Sequence, residues 1–312
     1  MDQARHSAAP LNLNDEANRR ALEQALPGYL GTRRWFGDKA RAIREVRIID
    51  TIPIGHARPE HNQVAIVEVA FEDGDAQRYV LPVKLDLVPD DDAQATVSGE
   101  IARWQAGDGG SRLIASDATH DPDFAAALLD AIAHGHRWPG QGGDIVAWST
   151  PQLDSITSRG TDLSPSVMGT EQSNTSLRYG DALILKLFRR LEEGTSPELE
   201  IGLALQAGHF DKTPPLGGAI EYARPHGEPL TLAVLQGFVP NRGDAWGYTL
   251  ETLQAYYRRA LEGSTAPSLA ATPTTDLLHL AAHPVPGEFA ALAGGYRESA
   301  ALLGRTTAQM HV

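Results

Sequence analysis

The 312-residue sequence has no cysteine, which excludes disulfides, thiolate metal sites and cysteine nucleophiles. It has no apolar run approaching the roughly 20 residues that span a bilayer, and Met1-Asp-Gln-Ala-Arg-His lacks the basic-then-apolar build of a signal peptide. The cytoplasm is therefore the expected location. Positive charge is also short: 27 Lys and Arg against 40 Asp and Glu leave a formal charge of -13. Neither nucleic acid nor an anionic membrane is an expected partner, although a local phosphate pocket is compatible with that balance. Metal motifs are missing as well. Pro89-Asp-Asp-Asp92 lacks the alternating acids, glycine and terminal glutamate of a calcium loop. His134-Gly-His136 has no matching carboxylate or second histidine pair at ligand spacing, and no lysine follows Gly140-Gln-Gly-Gly143, so both are read as turns and no metal ligand is assigned.

What is there centres on residues 168–190. Leu183-Ile-Leu-Lys-Leu-Phe188 is a strand pattern with one lysine inside an apolar run, and an ammonium there needs an acid or a route to solvent. Gly169 to Ser176 is small and hydroxyl-rich, so its amides and side chains can approach a phosphate; Ser173, Asn174, Thr175 and Ser176 are the candidate contacts. Gly180-Asp181 supplies the turn between the two strands. After Pro197 a helical pattern opens with Glu198 and Glu200, acids at a helix N-terminus. Loop, strand lysine and helix glutamate are the parts of a kinase small lobe. Lys186 would neutralise nucleotide phosphates, with Glu200, one turn into the helix, as the expected ion-pair partner and Glu198 the alternative. Arg189-Arg190 and Glu192-Glu193 are expected to be a solvated charged patch.

These same stretches, Gly169-Thr-Glu-Gln-Ser-Asn-Thr-Ser, Leu183 to Leu191 and Pro197-Glu-Leu-Glu-Ile-Gly202, resemble the bacterial maltokinases, also found fused behind trehalose synthase. Arg34-Trp-Phe-Gly-Asp-Lys-Ala-Arg41 resembles the cap signature of the same family. The resemblance implies an α+β chain: an N-terminal cap with an antiparallel sheet, a protein-kinase-like small lobe and a partial helical large lobe. It also implies ATP and Mg²⁺ as cofactors, maltose as substrate, trehalose synthase as a partner, and a place in trehalose-to-glycogen metabolism. The expected divisions are 1–92 for the cap, 93–238 for the small lobe with its linking segment, and 239–312 for the start of the large lobe.

In chain order, Asn14-Asp15 should cap a helix over Ala17–Leu26 that ends at Pro27-Gly28. Trp35 and Phe36 are expected in the cap core. Strands are expected over Val46–Ile54, Val64–Phe71 and Gln77–Leu87, with a turn at Glu72-Asp-Gly-Asp75. Pro82 suggests an edge strand, with Lys84 guarding it. Asp121 to His134 reads as an amphipathic helix. Two further strands flank the Arg224-Pro-His-Gly227 turn, and Gln236-Gly-Phe238-Val239 sits where a kinase hinge binds adenine, making Gln236, Phe238 and Val239 candidates. Helices follow, one with Leu250, Leu253, Tyr257 and Leu261 spaced for burial, then a loop at 264–273 and a last helix broken near Gly294-Gly295.

Kinase-like families carry the general base and metal ligands in the large lobe, on a His-Gly-Asp type and an Asp-Phe type motif. Neither occurs between Pro240 and Val312. No catalytic residue is assigned, the Mg²⁺ ligands are expected past residue 312, and the chain alone is expected to be inactive. Two alternatives stand beside this expectation: a non-catalytic module docking on trehalose synthase, and another small-molecule phosphotransferase of the same superfold.

Overall fold

The computed structural model describes residues 11–55, 61–92, 96–107, 110–157, 160–168, 173–262, 276, 278, 281–284 and 287–311. Residues 1–10, the front of the phosphate loop at 169–172 and the loop at 264–273 lie outside the described residues. The chain forms two compact units, residues 1–239 and 240–312.

The first unit opens with α1 (Glu16–Thr32), capped by Asp15, whose carboxylate accepts from Asn18 N at 3.0 Å. The helix does not stop at Pro27. Tyr29 and Leu30 beyond it are buried with Leu22 and Leu26 in the cap core, and that burial outweighs the one backbone hydrogen bond a proline forfeits.

The helix packs on an antiparallel sheet of β1 (Ile43–Pro53), β2 (Asn62–Phe71), β3 (Gln77–Pro89), β4 (Glu100–Gln105) and β5 (Ser111–Asp117), in the order β1-β2-β3-β5-β4. The turn between β2 and β3 carries Gly74 at φ 76°. Strands β4 and β5 are absent from the sequence expectation, because Glu100 to Gln105 is short and mostly half-buried, with no clean alternation to detect. Their presence makes β3 an interior strand instead of an edge. Pro82 is tolerated because it falls between Tyr79, where one flanking partner ends, and Val83, where β5 begins. Lys84 is accordingly not an edge guard. It pairs with Asp121 at 2.9 Å and lies 3.7 Å from Asp86. Burial pulls its pKa down, but the hydrogen bond to Asp121 and the charge of Asp86 more than offset this, and the net shift is upward. Phe36 is 1% exposed, stacks on Phe71 and packs at a tilt against Tyr79, and Trp35 packs beside Tyr29 and Tyr79.

A second antiparallel sheet follows: β6 (Arg137–Pro139), β7 (Asp144–Ser149), β8 (Pro165–Met168), β9 (Asn174–Tyr179), β10 (Leu183–Phe188), β12 (Leu216–Ala223) and β13 (Leu230–Gly237), ordered β6-β7-β12-β13-β10-β9-β8. Counted along the chain from β8, its five main strands lie in the order 1-2-3-5-4, with a helix between the third and fourth. This is the arrangement of a protein-kinase small lobe. The two-residue β11 (Arg190–Leu191) continues β10 and pairs with β3, so one segment belongs to both sheets.

Each face of the second sheet is covered by a helix. α2 (Pro122–His134), started by Asp121 and closed by Gly135 at φ 67°, buries Phe124, Leu128 and Ile132 against Leu183, Leu185 and Leu187. The short α3 (Gln152–Ile156) precedes β8. On the other face, α4 (Pro197–Ala207) sets Leu199 against Leu216, Ala219 and Val234.

The glycine-rich turn does more than reverse the chain. Backbone N–H groups of Gln141, Gly142 and Gly143 donate to the Asp50 carboxylate of β1 at 2.9, 2.9 and 3.1 Å, and Tyr222 Oη donates to it at 2.7 Å. A Cβ on Gly140 would meet Asp50 Oδ2 at 2.6 Å. Gly140 is needed because Gly143 O and Asp50 leave no room for a Cβ, and Gly143 because Ala223 O and the Tyr222 ring leave none.

In the second unit, α5 (Ala245–Glu262) begins at Asp244, which accepts from Gly247 N at 2.6 Å. α6 (Gly287–Ala293) and α7 (Tyr296–Met310) are separated at Gly294, φ 55°. Leu250, Leu253, Tyr257 and Leu261 are exposed, contrary to the spacing argument. Periodicity identifies a face of a helix; it does not supply the partner that covers it. Among the described residues no helix is long and apolar enough to cross a membrane.

Candidate functional site

Strand alternation determines which of the candidate residues can act together. Leu183, Leu185 and Leu187 turn into the core beneath α2, so Ile184, Lys186 and Phe188 face α4. Cross-strand register adds to this face: Ser176 and Val234 lie opposite Lys186, Asn174 opposite Phe188, and Gln236 opposite Ile184. Asn174, Ser176, Lys186 and Gln236 therefore share one side of the sheet, with Ser173 just before the strand. Thr175 does not share it. It is opposite Leu187, and its hydroxyl accepts from Arg189 Nε at 2.8 Å. Consecutive strand residues cannot all address one ligand, which corrects the expectation of four phosphate contacts in a row.

Lys186 Nζ lies 2.5 Å from Glu198 Oε2. The partner is thus Glu198, and the expected pairing with Glu200 is not formed. The cause is the rotation of α4 about its axis. Ser196 caps the helix, accepting from Leu199 N at 3.2 Å, and its own N–H donates to Thr231 Oγ1 of β13 at 2.9 Å. Leu199, 1% exposed, faces the sheet. Successive helical residues turn by about 100°, so Glu198 and Glu200 fall on opposite flanks of Leu199. One reaches Lys186 and the other faces solvent. The pair's side chains are 34% and 31% exposed, so its net stabilising effect is about 1 kcal/mol or less. Its consequence is positional: it holds an ammonium at one place on the sheet.

At the end of β13, the Phe238 N–H donates to Ala182 O at 2.7 Å and its ring lies 4.3 Å from the Arg178 guanidinium, while Val239 is exposed. Beside the ion pair a cleft of about 430 Å³ is lined by Ser173, Asn174, Phe188, Glu198 and Thr231, with Trp35 and Tyr79 from the cap. Lys186 borders the cleft only through Glu198. Burial, then Asp38, pushes the Tyr79 hydroxyl up to about 12, which keeps it a neutral hydrogen-bonding group. The cleft's carboxylates are all paired: Glu198 with Lys186, Glu193 with Arg78 and Arg224, Asp38 with Arg41, Glu192 with Arg190. They do not form a Mg²⁺ ligand set.

Arg189 departs from the solvated charged patch expected for Arg189-Arg190 and Glu192-Glu193. It is not solvated: it is 1% exposed, and its Nη2 donates to Asp117 Oδ2 at 2.8 Å. Tyr29 Oη donates to the same oxygen at 3.3 Å, and the Arg189 guanidinium stacks 5.0 Å from the Trp35 ring. Burial alone would raise the Asp117 pKa, but the charge of Arg189 and the hydroxyl and N–H of Thr119 overcome it, and the net shift is downward. Because β10 alternates, the position after Phe188 had to turn inward, a signal the sequence contained. Away from this face, on the α2 side, Asp130, His134 and His136 bring one ligand atom each within 4.8 Å of one another. A carboxylate does therefore accompany the two histidines, contrary to the sequence reading, because the αL turn at Gly135 brings His136 back beside the last helical turn.

Sheet order, strand lysine and helix glutamate define a kinase-like small lobe joined to an α+β cap. Residues 29–121 match the family described as the maltokinase N-terminal cap domain. Among solved structures, a glucosamine kinase in complex with glucosamine, ADP and inorganic phosphate is similar at 18% identity and TM-score 0.44, over 79% of this chain and 46% of that one. Another crystal form of a glucosamine kinase aligns at 19% identity and TM-score 0.44, over 79% and 45%. The chain spans about half the length of these structures.

Proposed function

We propose that the first unit is the cap and ATP-binding small lobe of a sugar phosphotransferase, in which Lys186, held by Glu198, engages the nucleotide phosphates under Ser173, Asn174 and Ser176. The observation that carries this is the 2.5 Å Lys186–Glu198 contact on the face shared with Asn174 and Ser176. A fixed ammonium beside a small-residue loop is a phosphate clamp. Gln236, Phe238 and Val239 would border the base, with main-chain groups as its contacts. The matched cap family favours maltose as acceptor, giving maltose 1-phosphate, and trehalose synthase as a neighbour in metabolism. Mg²⁺ would supply charge neutralisation at the phosphates when bound. We assign neither its ligands nor the general base to the cleft, whose described acids are all in ion pairs.

Titration calorimetry with ATP on the unmodified chain and on Glu198→Gln and Glu200→Gln tests the assignment. Glu198→Gln should weaken ATP binding by about tenfold, the equivalent of one charge-assisted contact, while Glu200→Gln should leave it within about twofold. Equal effects of the two variants, or no nucleotide binding by the unmodified chain, would remove the basis for the proposal and favour a docking module.

A further inference from the structure

A second cavity, of about 310 Å³, lies where Thr175 and Arg189 turn away from the Lys186 face; its polar lining includes Arg33, Arg34, Thr175 and Arg189, with Asn174 at its edge. Arg189 is the unusual member. Its Nε and Nη2 are satisfied by Thr175 and Asp117, yet its Nη1 is buried with no hydrogen-bond partner. A buried guanidinium nitrogen left unsatisfied is costly and rare enough to call for a partner. Among the lining residues three arginines face one carboxylate, Asp117, which already receives bonds from Arg189, Tyr29 and Thr119. In a chain of formal charge -13, such a local excess of cations favours an anion there over a general basic surface. Arg33 is itself held in place, by Thr32 Oγ1 at 3.0 and 3.1 Å and by the Tyr29 ring at 4.6 Å. Trp35, Val167 and Met168 give the cavity an apolar wall, and its volume is that of a small-molecule site.

We infer that this cavity binds a small phosphorylated metabolite, its phosphate taken by Arg189 Nη1 with Arg33 and Arg34, and its carbon skeleton lying against Trp35, Val167 and Met168. Planar guanidinium groups suit a phosphate dianion. The inference is separable from the nucleotide proposal, although the two cavities share Asn174 and Trp35, because Arg33, Arg34 and Arg189 do not line the first cleft and Lys186 does not line the second.

The test is calorimetric titration of the whole chain with glycerol 3-phosphate and, separately, inorganic phosphate. Arg189 variants are avoided because Asp117 would be stranded; the double variant Arg33→Ala/Arg34→Ala and the single variant Lys186→Ala are used instead. Glycerol 3-phosphate should bind saturably, about tenfold or more weaker in the double variant, within twofold of the unmodified chain in Lys186→Ala, with melting temperatures unchanged. No saturable binding, binding unaffected by the double variant, or binding lost in Lys186→Ala would overturn the site. Equal affinity for inorganic phosphate would overturn its assignment to an organic phosphate.

Discussion

Replacing Asp117 by Asn is expected to lower the free energy of unfolding by about 3–5 kcal/mol at neutral pH, the cost of breaking a buried ion pair by removing one partner. Arg189 would keep its charge at 1% exposure with no counterion, and the asparagine amide would meet the Tyr29 hydroxyl and Thr119 donors that now converge on a carboxylate. Arg189 is three residues from Lys186, and its carbonyl accepts from Val80 N of β3 at 2.8 Å, so the damage falls where the two sheets join. The pH dependence follows from the sign of the shift. The Asp117 pKa is lowered on folding, so its stabilisation is present above the unfolded value, about 4, and is lost as pH falls through the lower folded value. Denaturant unfolding of both proteins should show a wide gap at pH 7 that narrows below about pH 4. A gap that is absent at pH 7, or that widens with acid, would contradict this account of the pair.

Lys186→Ala should separate binding from stability. Loss of a charged hydrogen-bonding group from the phosphates costs about 1.5–3 kcal/mol, so the ATP dissociation constant should rise roughly 10- to 100-fold. The melting temperature should move little, because the half-exposed pair with Glu198 contributes about 1 kcal/mol or less and the stranded glutamate retains access to water. A large fall in melting temperature with ATP affinity unchanged would make Lys186 a packing residue.

Much of this site was legible because it rests on periodicity. A lysine among Leu183, Ile184, Leu185, Leu187 and Phe188 marks itself, and the strands at 43–53, 62–71 and 77–89 alternate or run apolar in a way that only a sheet explains. The choice between Glu198 and Glu200 was not legible, since it depends on how α4 is turned, and that turn is set by Leu199 meeting Val234 across a gap of 35 positions. Arg189 shows a different limit. Charged residues are assumed solvated unless a partner is visible, and Asp117 lies 72 positions away. Likewise, Gly140 to Gly143 announced a turn, but nothing local announced that Asp50 would fill it.

The central claim, that Lys186 lies against the phosphates of a bound nucleotide, is tested most directly by an ATP acyl-phosphate, which acylates amines next to the phosphate chain, with the modified lysine located by mass spectrometry. Lys186 should be the principal labelled residue, and excess ATP should suppress the labelling. Labelling spread over Lys39, Lys84 and Lys212, or labelling of Lys186 that ATP fails to suppress, would contradict it.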